Sequence, residues 1–367
     1  MGNEVGLQTE AVPKGPSDGR LRSFVNRHDG GDSAKLVSVH REISGEVSGS
    51  DPWYRMGMLY GGPLAYGYCR FVSANHSGDA RVLFASRDGY SLMKALKIVS
   101  PDIGETGYVN AQRLVARVVT GRTETKEDKR CNLRFFSKCL GLDGVPSDID
   151  GMFSKNRERI AELRGNFLDF YGDYVSGMTG DAESLELVDS TTAEYSSQKL
   201  IEQYSGRKVA GRYLVTLGKG ESPEHMTYGH VDGPYFGGYK VNLREFFLCS
   251  PELPLCGWDG ENPIHTTDCP LEEERAANYE KICSGICDYA RRVEEILGDD
   301  LPTYSYETVS DWILMALHDS GSKALLSRMY WSSDPDHFRW NHLVPRFGDI
   351  PRLTAEKASK ALGIYGR

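Results

Sequence analysis

Residues 81–99 read Arg-Val-Leu-Phe-Ala-Ser-Arg-Asp-Gly-Tyr-Ser-Leu-Met-Lys-Ala-Leu-Lys-Ile-Val. The apolar run 82–85 predicts a buried strand, Asp88 and Gly89 predict a sharp turn, and the apolar residues after them share one helical face. The polar residues 86–88 therefore stand at the carboxyl end of a strand. Open α/β sheets place their ligands at that end.

The rest of the chain continues the alternation of strand and helix. Further strands are predicted at 107–111, 185–189 and 209–217, with helical patterns after the first two and a Gly/Pro/His-rich, irregular stretch at 218–270. Alternation at this spacing is typical of βαβ units, so we expect an α/β fold with a Rossmann-like parallel sheet.

Composition along the chain suggests three regions. Residues 1–50 are rich in Gly, Ser and charge and predict a flexible or loosely docked amino-terminal arm. Residues 51–270 form the expected α/β core, into which helical patterns at about 120–180 insert a cap that would serve as a lid. Residues 271–367 predict a mainly helical carboxyl-terminal region packed on the core, with helices at 271–298, 305–318, 321–331 and 354–362.

Charge and hydropathy exclude several classes of function. The formal net charge of −9 disfavours a nucleic-acid groove, since phosphate contacts demand clustered Lys and Arg. No apolar run approaches the roughly 20 residues of a membrane span, and the start of the chain lacks a secretion signal. We therefore expect a cytoplasmic protein with no nucleic-acid partner and no membrane span. Its 8 cysteines are expected to be reduced core residues.

Two aspartates follow predicted strands, Asp88 in the turn after 81–85 and Asp189 at the end of 185–189. A carboxylate at a strand end can bind a divalent cation or move a proton, and the start of the next helix favours an anion. Each aspartate could instead only cap its helix. Together with Arg87 and Arg113, which are also at strand ends, they predict a site for a phosphate and a magnesium ion.

Other candidate motifs are weaker. Glu245 lies in an otherwise apolar segment and is expected to face the cleft or to pair with an arginine, because burying it unpaired would be costly. His225, His230 and Asp232 are expected in a surface loop. The sequence contains neither a complete P-loop nor the Gly-x-Ser-x-Gly elbow of α/β hydrolases.

Several tracts carry a resemblance to a known family. They are Tyr60-Gly-Gly-Pro-Leu-Ala-Tyr-Gly-Tyr68, Leu83-Phe-Ala-Ser-Arg-Asp-Gly-Tyr90, Tyr108-Val-Asn-Ala-Gln-Arg113, Leu187-Val-Asp189, Gly211-Arg-Tyr213, Arg244-Glu-Phe-Phe-Leu248, Gly257-Trp258 and Tyr279 to Gly285-Ile286. The chain resembles, over roughly 54–335, the HAD-like (haloacid dehalogenase superfamily) proteins associated with glycosyltransferases in surface or capsular polysaccharide biosynthesis. The Ser-Arg-Asp-Gly-Tyr turn is the most specific of these tracts.

The resemblance implies a HAD-like core whose first motif is the turn at 84–90. Typical members have Asp-x-Asp-Gly there, with the first Asp as nucleophile and the second as general acid/base. This chain keeps the second as Asp88 but has Ser86 in the place of the nucleophile, so no aspartyl-phosphate can form at that position. Arg113 matches the retained arginine of the second motif and Asp189 the acidic fourth motif, whose usual second acid is Ser190 here. Lys199 is a candidate for the phosphate-binding lysine.

We therefore expect an atypical HAD-like phosphatase or phosphoryl-transfer enzyme that acts on a phosphorylated or nucleotide-activated sugar or polyol. Its expected catalytic residues are Asp88, Asp189 and Ser86, with Mg²⁺ held by the two aspartates. The expected phosphate or substrate contacts are Arg87, Gly89, Tyr90, Arg113, Lys199 and Glu245. Two alternatives stay open: a non-catalytic binding module that partners a glycosyltransferase, and a transferase without a covalent intermediate. The sequence does not decide whether Ser86 or Asp88 would be the nucleophile.

Overall fold

A computed structural model describes residues 12–28, 30–143, 146–192, 195–216, 224–230, 239–253, 255–260, 262–265, 270–326, 330–331 and 341–342, with backbone alone for 230, 239–242, 270–272, 330–331 and 341–342. The predicted helix at 354–362, residues 327–329 of the one at 321–331 and the candidate loop residue Asp232 lie outside the described residues. The prediction of helix is wrong for 330–331, which form a short strand. The described part of the chain contains no helix that is long and apolar enough to cross a membrane.

Five strands form the central sheet: β1 (Arg81–Ala85), β2 (Thr106–Val109), β3 (Leu185–Thr192), β4 (Val209–Thr216) and β5 (His225–His230). Their order is β2-β1-β3-β4-β5, and every neighbouring pair is parallel. The predicted α/β class with a parallel, Rossmann-like sheet is confirmed. The strand β5 was missed, because its segment His-Met-Thr-Tyr-Gly-His has no apolar alternation and lies in a stretch that we expected to be irregular.

The sheet separates two hydrophobic layers. In β1, Val82 and Phe84 belong to one layer, while Leu83 and Ala85 belong to the other. This alternation follows from the two-residue repeat of a strand, and burial on both faces explains why the segment is a continuous apolar run.

The first layer contains helices from both ends of the chain. They are α1 (Asp18–Arg27), α2 (Gly30–Glu46), α3 (Pro52–Met56), α4 (Gly62–Ala74), α5 (Tyr90–Val99), α10 (Tyr239–Leu248), α11 (Pro270–Leu297), α12 (Tyr306–Leu314) and α13 (Ser320–Leu326). A π-helical turn at Gly57–Gly61 joins α3 to α4. A Cβ on Gly57 would lie 2.1 Å from the carbonyl oxygen of Ile282, so this glycine lets α11 approach closely.

The second layer covers the other face. It contains α6 (Arg113–Thr120), α7 (Lys126–Phe135), α8 (Ile149–Thr179) and α9 (Ser196–Ser205), together with the hairpin β6 (Leu255–Trp258) and β7 (Pro263–His265). A further antiparallel pair joins β8 (Tyr330–Trp331) to β9 (Asn341–His342).

The amino-terminal arm is a correction. The prediction of a loosely docked arm over 1–50 is wrong for 18–46, because α1 and α2 bury Phe24 and Ile43 completely in the first layer. This region is rich in Gly and Ser, so its few apolar residues did not form a recognisable helical pattern in the sequence.

The insertion at about 120–180 is helical, as predicted. However, α8 packs along the face of the sheet, where Phe167 and Val175 share a core with Leu187 of β3. It thus belongs to the connection between β2 and β3, and the idea of a movable lid stays a prediction. Farther along, the helices predicted at 271–298 and 305–318 are present as α11 and as α12 with a 3₁₀ turn at Met315–His318.

His40 predicts a pH dependence of stability. Its ring is 3% exposed and lies 5.1 Å from that of Trp312. Burial, with a smaller contribution from Arg41 and opposed by Asp319, lowers the pKa of His40 to about 4. Because the unfolded chain takes up this proton near the ordinary pKa of 6.5, the stability due to neutral His40 is complete above that pH and is lost as the pH falls toward 4.

We expect the free energy of unfolding to fall by about 2 kcal/mol more in the wild type than in His40→Gln between about pH 7 and pH 4.5. Urea titrations at matched pH values measure this difference, and the neutral glutamine removes the titration without adding charge. Parallel curves for the two proteins would show that His40 takes up its proton with an ordinary pKa.

Candidate functional site

The turn after β1 is held in an unusual backbone conformation. Arg87 has φ +75°, in the left-handed region that non-glycine residues rarely adopt. Its backbone N–H donates to the hydroxyl of Tyr108 at 2.5 Å, and the N–H of Ser86 donates to the carbonyl of Val109 at 2.8 Å. Neighbouring β2 thereby stabilises a strained residue, which is a frequent feature of binding sites.

Gly89 closes this turn. Its N–H donates to the carbonyl of Ala85 at 2.8 Å, and a Cβ at this position would lie 2.5 Å from the same oxygen. The expectation that the Gly89 N–H receives a phosphate is therefore wrong, because this donor is already used inside the turn. The role of Gly89 is steric.

Two carboxylates meet beside the turn. Asp88 follows β1 and Asp189 lies in the neighbouring β3, at the point where the strand order reverses: from β1 the chain continues to β2 on one side, and from β3 to β4 on the other. Ser190 connects them, since its hydroxyl donates to Asp88 and its backbone N–H donates to Asp189 at 2.8 Å. Doubly wound sheets bind ligands at such a reversal, because the loops of the two flanking strands diverge there.

Burial raises the affinity of both carboxylates for protons, and the charge of Asp88 adds to this effect at Asp189. Burial and then the charge of Asp88 raise the pKa of Asp189 to about 7, although Ser190, Ser197 and Arg113 act against this rise. Burial also raises the pKa of Asp88, against the opposing effects of Arg87, Ser190 and Arg275. Near neutral pH, the pair is thus suited to holding one proton between its two members or to binding a cation.

A cavity of about 630 Å³ opens from this pair. One wall comes from the strand ends of β1 and β3, and the other comes from α6 and the beginning of α7. The described residues that line it are Ala85, Ser86, Arg87, Asp88, Ala111, Gln112, Arg113, Leu114, Ala116, Arg117, Thr120, Arg122, Thr125, Glu127, Asp128, Asp189, Thr191, Thr192, Ser196, Ser197, Glu245 and Leu255.

Ser86 lies in the wall of this cavity and is 5% exposed. The side-chain amide of Gln112 donates to its hydroxyl oxygen at 2.9 Å. In the described part of the chain, no histidine or carboxylate is hydrogen-bonded to Ser86 as a general base. The geometry therefore orients the Ser86 hydroxyl without activating it as a nucleophile.

The structure brings together six of the predicted site residues at the cavity: Ser86, Arg87, Asp88, Arg113, Asp189 and Glu245. Two others are placed elsewhere. The Tyr90 hydroxyl donates to Glu280 and accepts from Lys94 at 2.6 Å, away from the cavity lining. Lys199 is exposed on α9 and does not line the cavity, so its assignment as the phosphate-binding lysine is not supported.

Sequence reasoning missed much of the second wall. Arg117 and Arg122 line the cavity, and so do the hydroxyl residues Thr191, Thr192, Ser196 and Ser197. The signal for Arg117 was available, because it follows Arg113 by four residues in a helix and must share its face. Arg275 was also missed: it is fully buried, donates to the carbonyl of Ser250 at 2.7 Å and acts on the charge of Asp88 from behind the site.

The residues present fit a magnesium ion. Two adjacent buried carboxylates whose pKa values are both raised carry an unfavourable excess of negative charge when ionised, which a divalent cation relieves. The described residues contain no group of three or more His, Cys, Asp or Glu side chains that could hold a metal. Magnesium needs no such group, since it binds through one or two carboxylates and completes its shell with phosphate oxygens and water.

No family model matches the chain, and the search of curated proteins finds no relative.

Proposed function

We propose that this chain is a HAD-like enzyme that transfers the phosphoryl group of a phosphorylated or nucleotide-activated sugar or polyol to water or to another acceptor. The observation that carries the proposal is the pair Asp88 and Asp189 at the reversal of strand order, facing a cavity that arginines line. Phosphoryl transfer requires positive groups for the phosphate oxygens and a proton carrier close to them, and this cavity offers both. Surface polysaccharide biosynthesis in the cytoplasm, with a glycosyltransferase as partner, is the proposed setting.

The phosphoryl group would lie between the carboxylate pair and the guanidinium groups of Arg87 and Arg113. One carboxylate of the pair would take the proton of the attacking water, and that proton would pass on to the leaving sugar oxygen. The bond from water oxygen to phosphorus forms as the bond from phosphorus to the sugar oxygen breaks. No residue needs to become phosphorylated, which agrees with Ser86 in the usual place of the nucleophile.

Asp88 and Asp189 would hold Mg²⁺, which when bound neutralises phosphate charge and favours displacement at phosphorus. Arg275 lies behind Asp88 and keeps part of that carboxyl group ionised, because its positive charge lowers the pKa of Asp88. The Gln112 amide keeps the Ser86 hydroxyl oriented toward the cavity.

A panel of sugar phosphates, polyol phosphates and nucleotide sugars tests the proposal. We expect at least one member to release phosphate or transfer its phosphoryl group with added Mg²⁺. We also expect loss of this activity after complete chelation and its recovery when Mg²⁺ is restored. Turnover that persists at full rate after complete removal of metal would contradict the assigned role of the carboxylate pair.

A second candidate function is a non-catalytic module that binds a sugar phosphate beside a glycosyltransferase. Ser86 favours it, because the usual nucleophile of the resembled family is missing. The same panel separates the two functions: a binding module gives saturable binding of a sugar phosphate without any product, whereas an enzyme gives product that accumulates with time.

A further inference from the structure

A row of arginines extends along α6 away from the carboxylate pair. Arg113 and Arg117 are one helical turn apart and both line the cavity. The helix advances about 10 Å from Arg113 to Thr120 at a rise of 1.5 Å per residue. Gly121 then turns the chain with φ +63°, and Arg122 lines the cavity beyond the helix end.

The near end of this row acts on the carboxylate pair, since the charge of Arg113 lowers the pKa of Asp189. At the far end, the acidic residues already have partners. Glu127 is 4.0 Å from Arg117 and 3.4 Å from Arg130, and the carboxylate of Asp128 accepts from the hydroxyl of Thr125 at 2.6 Å in a capping box. Glu127 is thus shared between two arginines, and the side chain of Asp128 is directed to the start of α7 by its bonds to Thr125.

Arg122 differs from its neighbours. Its side chain makes no ion pair or hydrogen bond with any residue that the structure describes, although it is part of the cavity wall. A guanidinium group in a wall of this kind presents five N–H donors in a fixed plane, which suits a phosphate or a carboxylate.

The cavity offers little to a nucleobase. None of the described residues that line it is aromatic. An aromatic group beside it forms a separate pocket of about 100 Å³ that shares only Leu255 with the cavity lining. Its rings pack on one another, with the centroids of Phe170 and Trp258 4.2 Å apart, so they leave no slot for a base. A compact substrate fits the cavity better than a nucleotide-activated one.

We propose that the substrate carries a second anionic group, which Arg122 binds beyond the end of α6, while the carboxylate pair holds the reacting phosphoryl group. A sugar bisphosphate and a phosphorylated sugar acid share this chemistry. The inference rests on the proposed function in one respect: the carboxylate pair decides which of the two anionic groups of the substrate is the reacting phosphoryl group. It makes Arg122 the residue that determines specificity for substrates with two separate anionic groups.

Three probes without a sugar ring test it by isothermal titration: hexyl phosphate, hexane-1,6-diol bisphosphate and 6-phosphooxyhexanoate. The last two are two-ended probes, with an anionic group at each end. We expect the wild type to bind at least one of them about tenfold more tightly than hexyl phosphate, which is a difference that one charged hydrogen bond can provide. A comparison of the bisphosphate with the carboxylate probe shows whether the second anionic group is a phosphate or a carboxylate. The preference should shrink in high salt, because Arg122 is exposed.

Arg122→Gln should abolish this preference and leave the affinity for hexyl phosphate unchanged. Arg157→Gln is the matched control, since Arg157 is exposed on α8 and lies outside the cavity lining. Equal affinities for one-ended and two-ended probes in the wild type, or a preference that survives Arg122→Gln, would overturn the inference while leaving phosphoryl transfer intact. UDP-glucose binding that exceeds that of both two-ended probes would overturn it in favour of a nucleotide site. Failure of all phosphates to bind would overturn both proposals.

Discussion

An Asp88→Asn variant should lose turnover about a thousandfold while it folds as well as the wild type. The amide can still accept the hydrogen bond from Ser190, but it can neither carry a proton nor offer charge to a cation. The variant also removes a buried negative charge beside Asp189, where burial and Asp88 together raise the pKa to about 7. We therefore expect the free energy of unfolding at pH 8 to stay equal or to rise, as it often does when an active-site charge is removed.

Initial rates on the substrate found in the panel, together with urea unfolding, measure both effects on one preparation. Asp173→Asn is the matched control, because Asp173 is exposed on α8 and the same chemical change there leaves the cavity untouched. Rates within about threefold of wild type for Asp88→Asn would remove Asp88 from the chemistry and with it the proposed mechanism. A loss of activity accompanied by a loss of folding would instead assign Asp88 a structural role.

The main features of this site were predictable because they depend on short patterns. A buried strand, a polar turn and a helix are encoded in about twenty neighbouring residues, and the geometry of a parallel sheet then brings Asp88 and Asp189 together. Glu245 was found for a different reason: a carboxylate in an apolar segment must face a polar space, and here that space is the cavity.

The wrong predictions were made from the type of a residue alone, without knowledge of where the fold places its side chain or backbone. Lys199 has the charge expected of a phosphate ligand, but on α9 it is Ser196 and Ser197 that line the cavity, whereas Lys199 is exposed. The backbone N–H of Gly89 was assigned to a ligand, yet a tight turn uses that donor itself. The amino-terminal helices were missed because their docking depends on residues about three hundred positions away, which no local pattern shows.

Asp319 makes the clearest of these distant contacts. We expect its replacement to lower the stability more than the substitutions at His40 and Asp88. It is 4% exposed, and its Oδ2 accepts from the backbone N–H groups of Lys14 and Gly15 at 2.9 and 3.2 Å. The same oxygen accepts from the hydroxyls of Tyr60 at 3.1 Å and Ser322 at 2.8 Å. One carboxylate thus connects the amino-terminal segment to α13 and to the helical layer.

Asp319→Ala should lower the free energy of unfolding by about 4 kcal/mol, because it leaves several buried donors without an acceptor at about 1–3 kcal/mol each. Urea titration measures the loss, and Asp299→Ala, at an exposed position, should change it by less than about 0.5 kcal/mol. A local readout separates the contact from general damage: trypsin should cleave after Lys14 in Asp319→Ala under conditions in which the folded wild type resists. Resistance at Lys14 together with wild-type stability would mean that Asp319 does not hold the amino-terminal segment, since unpaired donors of this number cannot stay buried without cost.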